Sequence, residues 1–146
     1  MSGGTFNPST AGTGTHPITY TYFSGCSNSC TFSIKVDPQP AGSNANTTIC
    51  SGTELSYDLQ GRITNGVTCD FTWTVANNTN VSGETSGTRD SLVQTLTNNT
   101  TSPQNVVYTI TPRSESSNCS GGTFTVTVTV NPVIAPKNIT WNSNYN

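Results

Sequence analysis

The side chains that could do chemistry are few in this chain of 146 residues, and they form no catalytic pattern. His16 is the only histidine, and no serine and carboxylate can be assigned to it as a catalytic triad. The carboxylates lie near turns or strand ends: Asp37, Glu54, Asp58, Asp70, Glu84, Asp90 and Glu115. No glycine-rich phosphate loop precedes a helix. We therefore expect no enzyme activity and no cofactor.

Metal ligands are equally sparse. Three residues separate Cys26 from Cys30, but no second Cys or His pair lies nearby to complete four zinc ligands. The carboxylates form no D-x-D-x-D-G calcium loop. A calcium ion held by Asp37 and a loop carboxylate remains open as an alternative, because loop carboxylates can converge in the fold. The expectation is nevertheless no metal site.

The five cysteines bear on the redox compartment. An odd number leaves at least one thiol free if all disulfides are internal. The composition is rich in Ser, Thr and Asn, which favours an extracellular setting and at least one disulfide. The alternative is that all five are reduced and several are buried.

Charge excludes some partners. Only 8% of the residues are charged, 31% are hydrophobic and the net charge is −2. Without a basic stripe the chain is not expected to bind nucleic acid, and no apolar run is long enough for membrane insertion. The first ten residues lack the features of a secretory signal. Either Met1 is not the native start and an export signal lies elsewhere in a longer protein, which we favour, or the start is native and cytoplasmic.

Alternation with a period of two recurs along the chain and predicts an antiparallel β-sandwich. Thr, Ser and Asn occupy one face of each segment and apolar residues the other, as expected where one face meets water and the other a core. Turn residues separate the segments. The predicted strands are residues 18–22, 31–36, 55–59, 71–75, 91–96, 106–111 and 124–130. In the first two we expect Ile18, Tyr20, Tyr22, Phe32, Ile34 and Val36 to face inward. In the fourth, Trp73 is expected in the core, although a tryptophan could also stack on a sugar.

An internal repeat divides the chain. Residues 18–38, ITYTYFSGCSNSCTFSIKVDP, align with residues 106–132, VVYTITPRSESSNCSGGTFTVTVTVNP. Each copy has a strand, a Ser/Asn loop with a cysteine, an alternating strand and a proline that ends the strand. We therefore expect the last strands of a partial module in residues 1–39, a complete sandwich in residues 40–132 and a tail in residues 133–146. The sequence DPQPAG would form a short, semi-stiff linker.

Several of these phrases resemble known surface-protein repeats. GGTFNPSTAGTGTHPITYTYFSGCSNS resembles the end of immunoglobulin-like repeats in large secreted surface proteins of Bacteroidota, such as adhesins and gliding-associated proteins. TTICSGTELSY, CDFTWTVANNTNVSGETSG and NCSGGTFTVTVTVNP resemble the PKD-like repeat of the same proteins. The resemblance implies extracellular, cell-surface β-sandwich modules that lack catalytic residues.

The resemblance also implies disulfides. The cysteines of ICSG and NCSGG in that pattern correspond to Cys50 and Cys119, which would be joined. Cys69 is then an extra, either free or paired with the first module. Cys26 lacks the partner that the early strands of its module would carry, and Cys30 is its nearest candidate.

Three functions remain open. The first is a structural or adhesive module that acts as a spacer or stalk beside neighbouring modules of the same chain. The second is a self-assembling filament or viral surface subunit, in which the tail, with a strand at residues 138–142, completes the first module of another copy. The third is a carbohydrate-binding module that contacts cell-surface or matrix glycans through Trp141 and Tyr145.

Overall fold

The computed structural model of the protein describes residues 4–133, and nearly all of its regular structure is β-strand. One helix of four residues, Pro8–Ala11, begins at Asn7, whose side chain accepts a hydrogen bond from the Ser9 amide. One turn of 3₁₀ helix covers Gln60–Arg62. The strands are β1 Gly14–Phe23, β2 Ser27–Val36, β3 Ala45–Cys50, β4 Glu54–Asp58, β5 Cys69–Val75, β6 Val81–Ser82, β7 Gly87–Thr88, β8 Ser91–Thr95, β9 Thr97–Asn98, β10 Gln104–Ser114 and β11 Phe124–Asn131.

The complete unit is a β-sandwich, as the alternation predicted. One sheet has five strands in the order β3-β11-β10-β5-β7, and the pairs β4-β8 and β6-β9 form two smaller sheets. Apolar side chains from the large sheet and from β4, β6 and β8 meet in one core. Trp73 lies in that core at 6% exposure, as expected. The all-β sandwich predicted from the sequence is therefore confirmed.

One pairing differs from a purely antiparallel sandwich. Strand β3 runs parallel to β11, with Ala45 beside Val126 and Cys50 beside Asn131. All the other pairs are antiparallel. Because of this parallel pairing, the chain enters the large sheet and leaves it at opposite ends.

The strands β1 and β2 form a separate two-stranded ribbon before the sandwich. Ten residues of each strand pair in register, from Gly14 beside Val36 to Phe23 beside Ser27. A ribbon of this length extends about 30 Å. Apart from Phe23, its large apolar side chains point to one face, but the expected burial is wrong within the described residues. Phe32 is 52% exposed and Tyr22 is 44% exposed, because no second sheet among residues 4–133 covers them.

The segment between ribbon and sandwich, residues 37–42, is called the joint and is held in place by hydrogen bonds. The Asn65 side-chain amide donates to the Gln39 carbonyl at 2.7 Å and accepts from the Ala41 amide at 3.2 Å. The Thr64 amide also donates to the Ala41 carbonyl at 2.8 Å, and Pro40 is buried. This segment, expected to be a semi-stiff linker, is therefore tied to a loop of the sandwich.

Candidate functional site

Titratable side chains do not converge in the described part of the chain. Among residues 4–133 no three His, Cys, Asp or Glu residues lie close enough together to hold a metal ion. Asp37, the carboxylate considered for calcium, forms an ion pair with Lys35 at 2.6 Å. His16 Nε2 donates to the Gly12 carbonyl at 2.9 Å, and the imidazole ring contacts Phe6. These contacts tie the short helix segment to the base of the ribbon.

The expected disulfide between Cys50 and Cys119 is absent, and the strand register gives the reason. Cys50 ends β3 beside Asn131, at the far end of β11. Cys119 precedes the start of β11, where its carbonyl accepts from the Ser114 amide at 2.9 Å. The length of β11, 8 residues, separates the two by about 24 Å. A disulfide requires Cα atoms within about 7 Å, so this pairing is wrong for this fold.

The expected pairing of Cys26 with Cys30 is also absent. Cys26 lies in the turn of the ribbon, and Cys30 lies beside Tyr20 on β2. Cys30 follows Cys26 by four positions along β2, which begins at Ser27, and in extended chain this places their Cα atoms about 13 Å apart, again too far for a bond. All five cysteines are thiols in the structure. Sequence proximity misled here because an extended chain carries neighbours apart.

Cys69, left unassigned by the sequence, is a buried thiol of the sandwich. Its Sγ lies 3.2 Å from the Val67 carbonyl, and its amide donates to Gln60 Oε1 at 3.0 Å. Burial, and then the carboxylates of Glu115 and Asp70, raise the pKa of the thiol. A buried, protonated thiol is a poor nucleophile, so Cys69 is structural.

A buried polar network joins the two sides of the sandwich and was missed by the sequence reasoning. Tyr108 donates from its hydroxyl to Gln94 Oε1 at 2.8 Å. The same Gln94 oxygen accepts from the Thr85 amide at 2.9 Å, and Gln94 Nε2 donates to the Thr85 carbonyl. Trp73 Nε1 donates to that carbonyl at 3.0 Å. The period of two could have identified Gln94 as buried, because it lies two residues from each of the inward-facing Leu92 and Leu96.

A second buried amide fixes the end of the sandwich where β11 stops. Asn98 Nδ2 donates to the carbonyls of Val130 and Ser102, both at 2.8 Å. Its backbone amide donates to Ser51 Oγ at 2.9 Å. The network ties β9, β11 and the loop after β3 together. Such satisfied groups specify packing rather than chemistry.

In the described part of the chain, the exposed large aromatic side chains all lie in the ribbon. One face carries His16, Ile18, Tyr20, Tyr22, Phe32, Ile34 and Val36. The other face is mostly Thr and Ser, and a Thr19–Thr31 contact of 3.2 Å crosses it. Phe23, on this second face, is 78% exposed near the tip. Exposed aromatic side chains grouped on one face mark an interaction surface rather than a catalytic site.

The ribbon and the end of β11 lie at opposite ends of the molecule. At the ribbon end, a Cβ on Gly121 would meet the Pro40 carbonyl, and one on Gly42 would meet the ring of Phe124. The residues that begin β11 therefore contact the joint. Strand β11 then runs away from the joint and ends at Asn131 beside Cys50. Trp141 and Tyr145, considered for glycan binding, lie outside the described residues, and nothing places them in a site.

The match to a protein family agrees with the sandwich. Residues 47–134 match the family described as PKD-like domain. No curated protein sequence matches the chain. A 2,6-sialyltransferase from Photobacterium sp. JT-ISH-224, solved with CMP and lactose, is similar over 62% of this chain and 18% of its own, with 17% identity and a TM-score of 0.41.

A nucleoside hydrolase-related hypothetical protein from Saccharophagus degradans, associated with carbohydrate metabolism, is similar over 68% of this chain and 26% of its own. The identity is 14% and the TM-score 0.40. The chain thus spans about a quarter or less of these two proteins. Likenesses at this level carry no information about activity.

Proposed function

Because the chain belongs to the PKD-like domain family, we propose that it is a spacer module in an extracellular, cell-surface protein. Domains of this family are typically non-catalytic and commonly extracellular. The observation that carries the proposal is that the chain enters the sandwich before Ala45 and leaves it after Asn131, at opposite ends of the paired strands β3 and β11. Modules with this arrangement add their full length when they follow one another. The helices described between residues 4 and 133 are too short to span a bilayer.

The fastened joint supports a spacer role. A spacer needs to hold a direction from one module to the next, and a free linker would let neighbouring modules swing. Here Asn65 contacts both Gln39 and Ala41, and Pro40 is buried against the sandwich. The partial first module of the repeat and the sandwich are thereby held together. The ribbon is the place where a neighbouring module, or another copy, would contact the chain.

The surface also suits an extracellular module of low charge. Thr fills the outward positions of β11, which alternate with buried valines: Val126, Val128 and Val130. Thr retains β-propensity on the wet face without adding charge. The adhesive role and the origin in a bacterial surface protein rest on the resemblance of the repeat phrases.

The proposal is tested on cells that carry the protein. Antibodies against residues 40–132 should stain intact cells as strongly as permeabilised cells, and protease added outside should remove the signal. Staining that appears only after permeabilisation would overturn the extracellular assignment. X-ray scattering from two copies joined end to end should show a maximum dimension nearly twice that of one copy. A dimension that barely grows would overturn the spacer role.

A further inference from the structure

The ribbon lacks a partner strand at either outer edge within residues 4–133. Its sheet contains β1 and β2 alone. Phe6 contacts His16 and covers the base of the apolar face, but Tyr22 and Phe32 further along that face remain largely exposed. An isolated two-stranded hairpin is at best marginally stable in water. An apolar face joined to a free edge is the combination to which an added strand binds.

The hairpin β10–β11 shows what completes such a ribbon in this fold. Strand β5 lies against the outer edge of β10, with Trp73 beside Ile110 and Phe71 beside Pro112. Both aromatic side chains of β5 are buried in the core. By the internal repeat, β1 corresponds to β10, and a strand like β5 is what β1 lacks.

The tail contains a segment with the same pattern as β5. Residues 138–142 read NITWN, and residues 70–74 of the sandwich read DFTWT. An apolar residue and a tryptophan stand at the same two positions, with threonine between them. In a strand, Ile139, Trp141 and Tyr145 would share one face, with Ser143 between the two aromatic residues, and Asn or Thr would occupy the other. The tail therefore carries the sequence of an amphipathic strand.

The tail of the same copy is too short to deliver this strand to the ribbon. Trp141 follows Val133 by eight residues, a reach of about 27 Å at full extension. Strand β11, with 8 residues, already takes about 24 Å of that distance. The joint at residues 37–42 must still be passed before the ribbon begins. Trp141 can therefore lie on the ribbon's apolar face only in another copy of the chain.

We propose that residues 138–145 of one copy bind as a β-strand to the outer edge of β1 in a second copy, with Trp141 on the ribbon's apolar face. Backbone hydrogen bonds would hold the strand and the aromatic face would set its register. The contact is head-to-tail, since donor and acceptor lie at opposite ends of the molecule. A head-to-tail contact that does not close into a ring produces a filament.

The first test measures mass by light scattering against concentration, with matched variants. The protein should pass from a single chain of 15.4 kDa to a series of multiples as concentration rises. Trp141→Lys should raise the concentration needed for assembly by about thirtyfold or more, as expected for loss of a buried aromatic anchor. Asn142→Lys adds the same charge to the opposite face of the tail and should have little effect.

The acceptor is tested in the same way. Phe32→Lys places a charge on the ribbon's apolar face, and Ser33→Lys places it on the other face. The first should block assembly and the second should not. All four variants should keep the urea midpoint of the single chain, which shows that the sandwich remains folded.

A mixture of the donor variant and the acceptor variant gives the most specific test of the proposed contact. Trp141→Lys retains a working acceptor and Phe32→Lys retains a working donor, so an equimolar mixture should form dimers and stop there. A single-chain mass up to about 1 mM in the unmutated protein would overturn the proposal. So would assembly that survives Trp141→Lys, because the ribbon's occupant would then be something other than the tail. Either result would leave the spacer function untouched.

Discussion

The hairpins β1–β2 and β10–β11 share a sequence pattern but not surroundings. The second strand of one reads TFSIKVDP, and that of the other reads TFTVTVTVNP. Phe124 is 3% exposed in the sandwich, whereas Phe32 is 52% exposed in the ribbon. The difference is the sheet that covers β10–β11 and has no equivalent over β1–β2 within residues 4–133. Alternation thus defines an apolar face, but neighbouring strands decide whether that face becomes a core.

The largest expected effect separates the two phenylalanines. Phe124→Ala removes a ring from the core and should lower the free energy of unfolding by about 3–5 kcal/mol. Phe32→Ala removes a half-exposed ring and should change it by no more than about 0.5 kcal/mol. Urea unfolding, followed by Trp73 fluorescence at low protein concentration, measures both. Equal losses would mean that the ribbon belongs to the same cooperative unit.

A glycine substitution in a turn of the sandwich should likewise cost more stability than one in the turn of the ribbon. Gly83, between β6 and β7, has φ +98° and a Cβ there would meet the Thr95 carbonyl. Gly25, in the ribbon turn, has φ +78° and nothing near it. Gly83→Ala should lower the free energy of unfolding of the sandwich by about 2 kcal/mol or more, since left-handed strain and a backbone clash add. Gly25→Ala should leave that value unchanged in the same urea titration.

A pair of tyrosines gives a smaller contrast. Tyr108→Phe removes the hydroxyl that donates to buried Gln94 and should lower the free energy of unfolding by about 1–2 kcal/mol. Tyr22→Phe, on the exposed ribbon, should have no measurable effect. Thermal unfolding of the two variants in one buffer distinguishes them. Matching shifts would show that the Tyr108–Gln94 hydrogen bond contributes no net stability.

The same buried tyrosine predicts a dependence on pH. Burial, and then the carboxylate of Glu84, raise the pKa of Tyr108 above its ordinary value. The unfolded chain loses this proton near pH 10, while the folded protein still retains it. The unfolded state therefore binds fewer protons above about pH 10, and the free energy of unfolding falls as pH rises further. Tyr108→Phe should remove this decrease in the free energy of unfolding with pH. A decrease that persists in the variant would show that other groups cause it.

The smallest expected effect concerns the thiols. Because all five cysteines are free, adding reductant should leave the unfolding midpoint unchanged. A thiol reagent should react fast with exposed Cys26, Cys30 and Cys50 and slowly with buried Cys69. A midpoint that drops on reduction would show that disulfides form in solution and that the register of β3 or of the ribbon differs from the one described.

The sandwich could be predicted from the sequence because its strands carry clear alternation. Phe71 and Trp73 on β5, and the valines of β11, lie inward as expected. The register between strands could not be predicted, since a period of two fixes a face and not a neighbour. The parallel pairing of β3 with β11 therefore went unseen, so that nothing in the sequence contradicted the Cys50–Cys119 disulfide that the resemblance implied.

The candidate site was predicted only in part. The repeat predicted that β1 and β2 resemble β10 and β11, and both pairs are antiparallel in the structure. The inward burial expected for the ribbon side chains assumed a sheet that covers them. The network of Gln94 was missed because a single polar residue within a strand usually reads as an outward position. The burial of Gln94 depends on its hydrogen bonds with Tyr108 and Thr85, which are distant in sequence.

The parallel pairing of β3 with β11 has a mechanical consequence. Tension on the chain pulls β3 from its ribbon end and β11 from its opposite end, along the strands. The load then falls in shear on all the paired positions from Ala45–Val126 to Cys50–Asn131 together. Pulling Gln104 from Asn131 would instead peel β10 from β11 one pair at a time. Single-molecule pulling at residues 40 and 132 should therefore need the higher force, and equal forces would show that this strand pair is not the mechanical clamp.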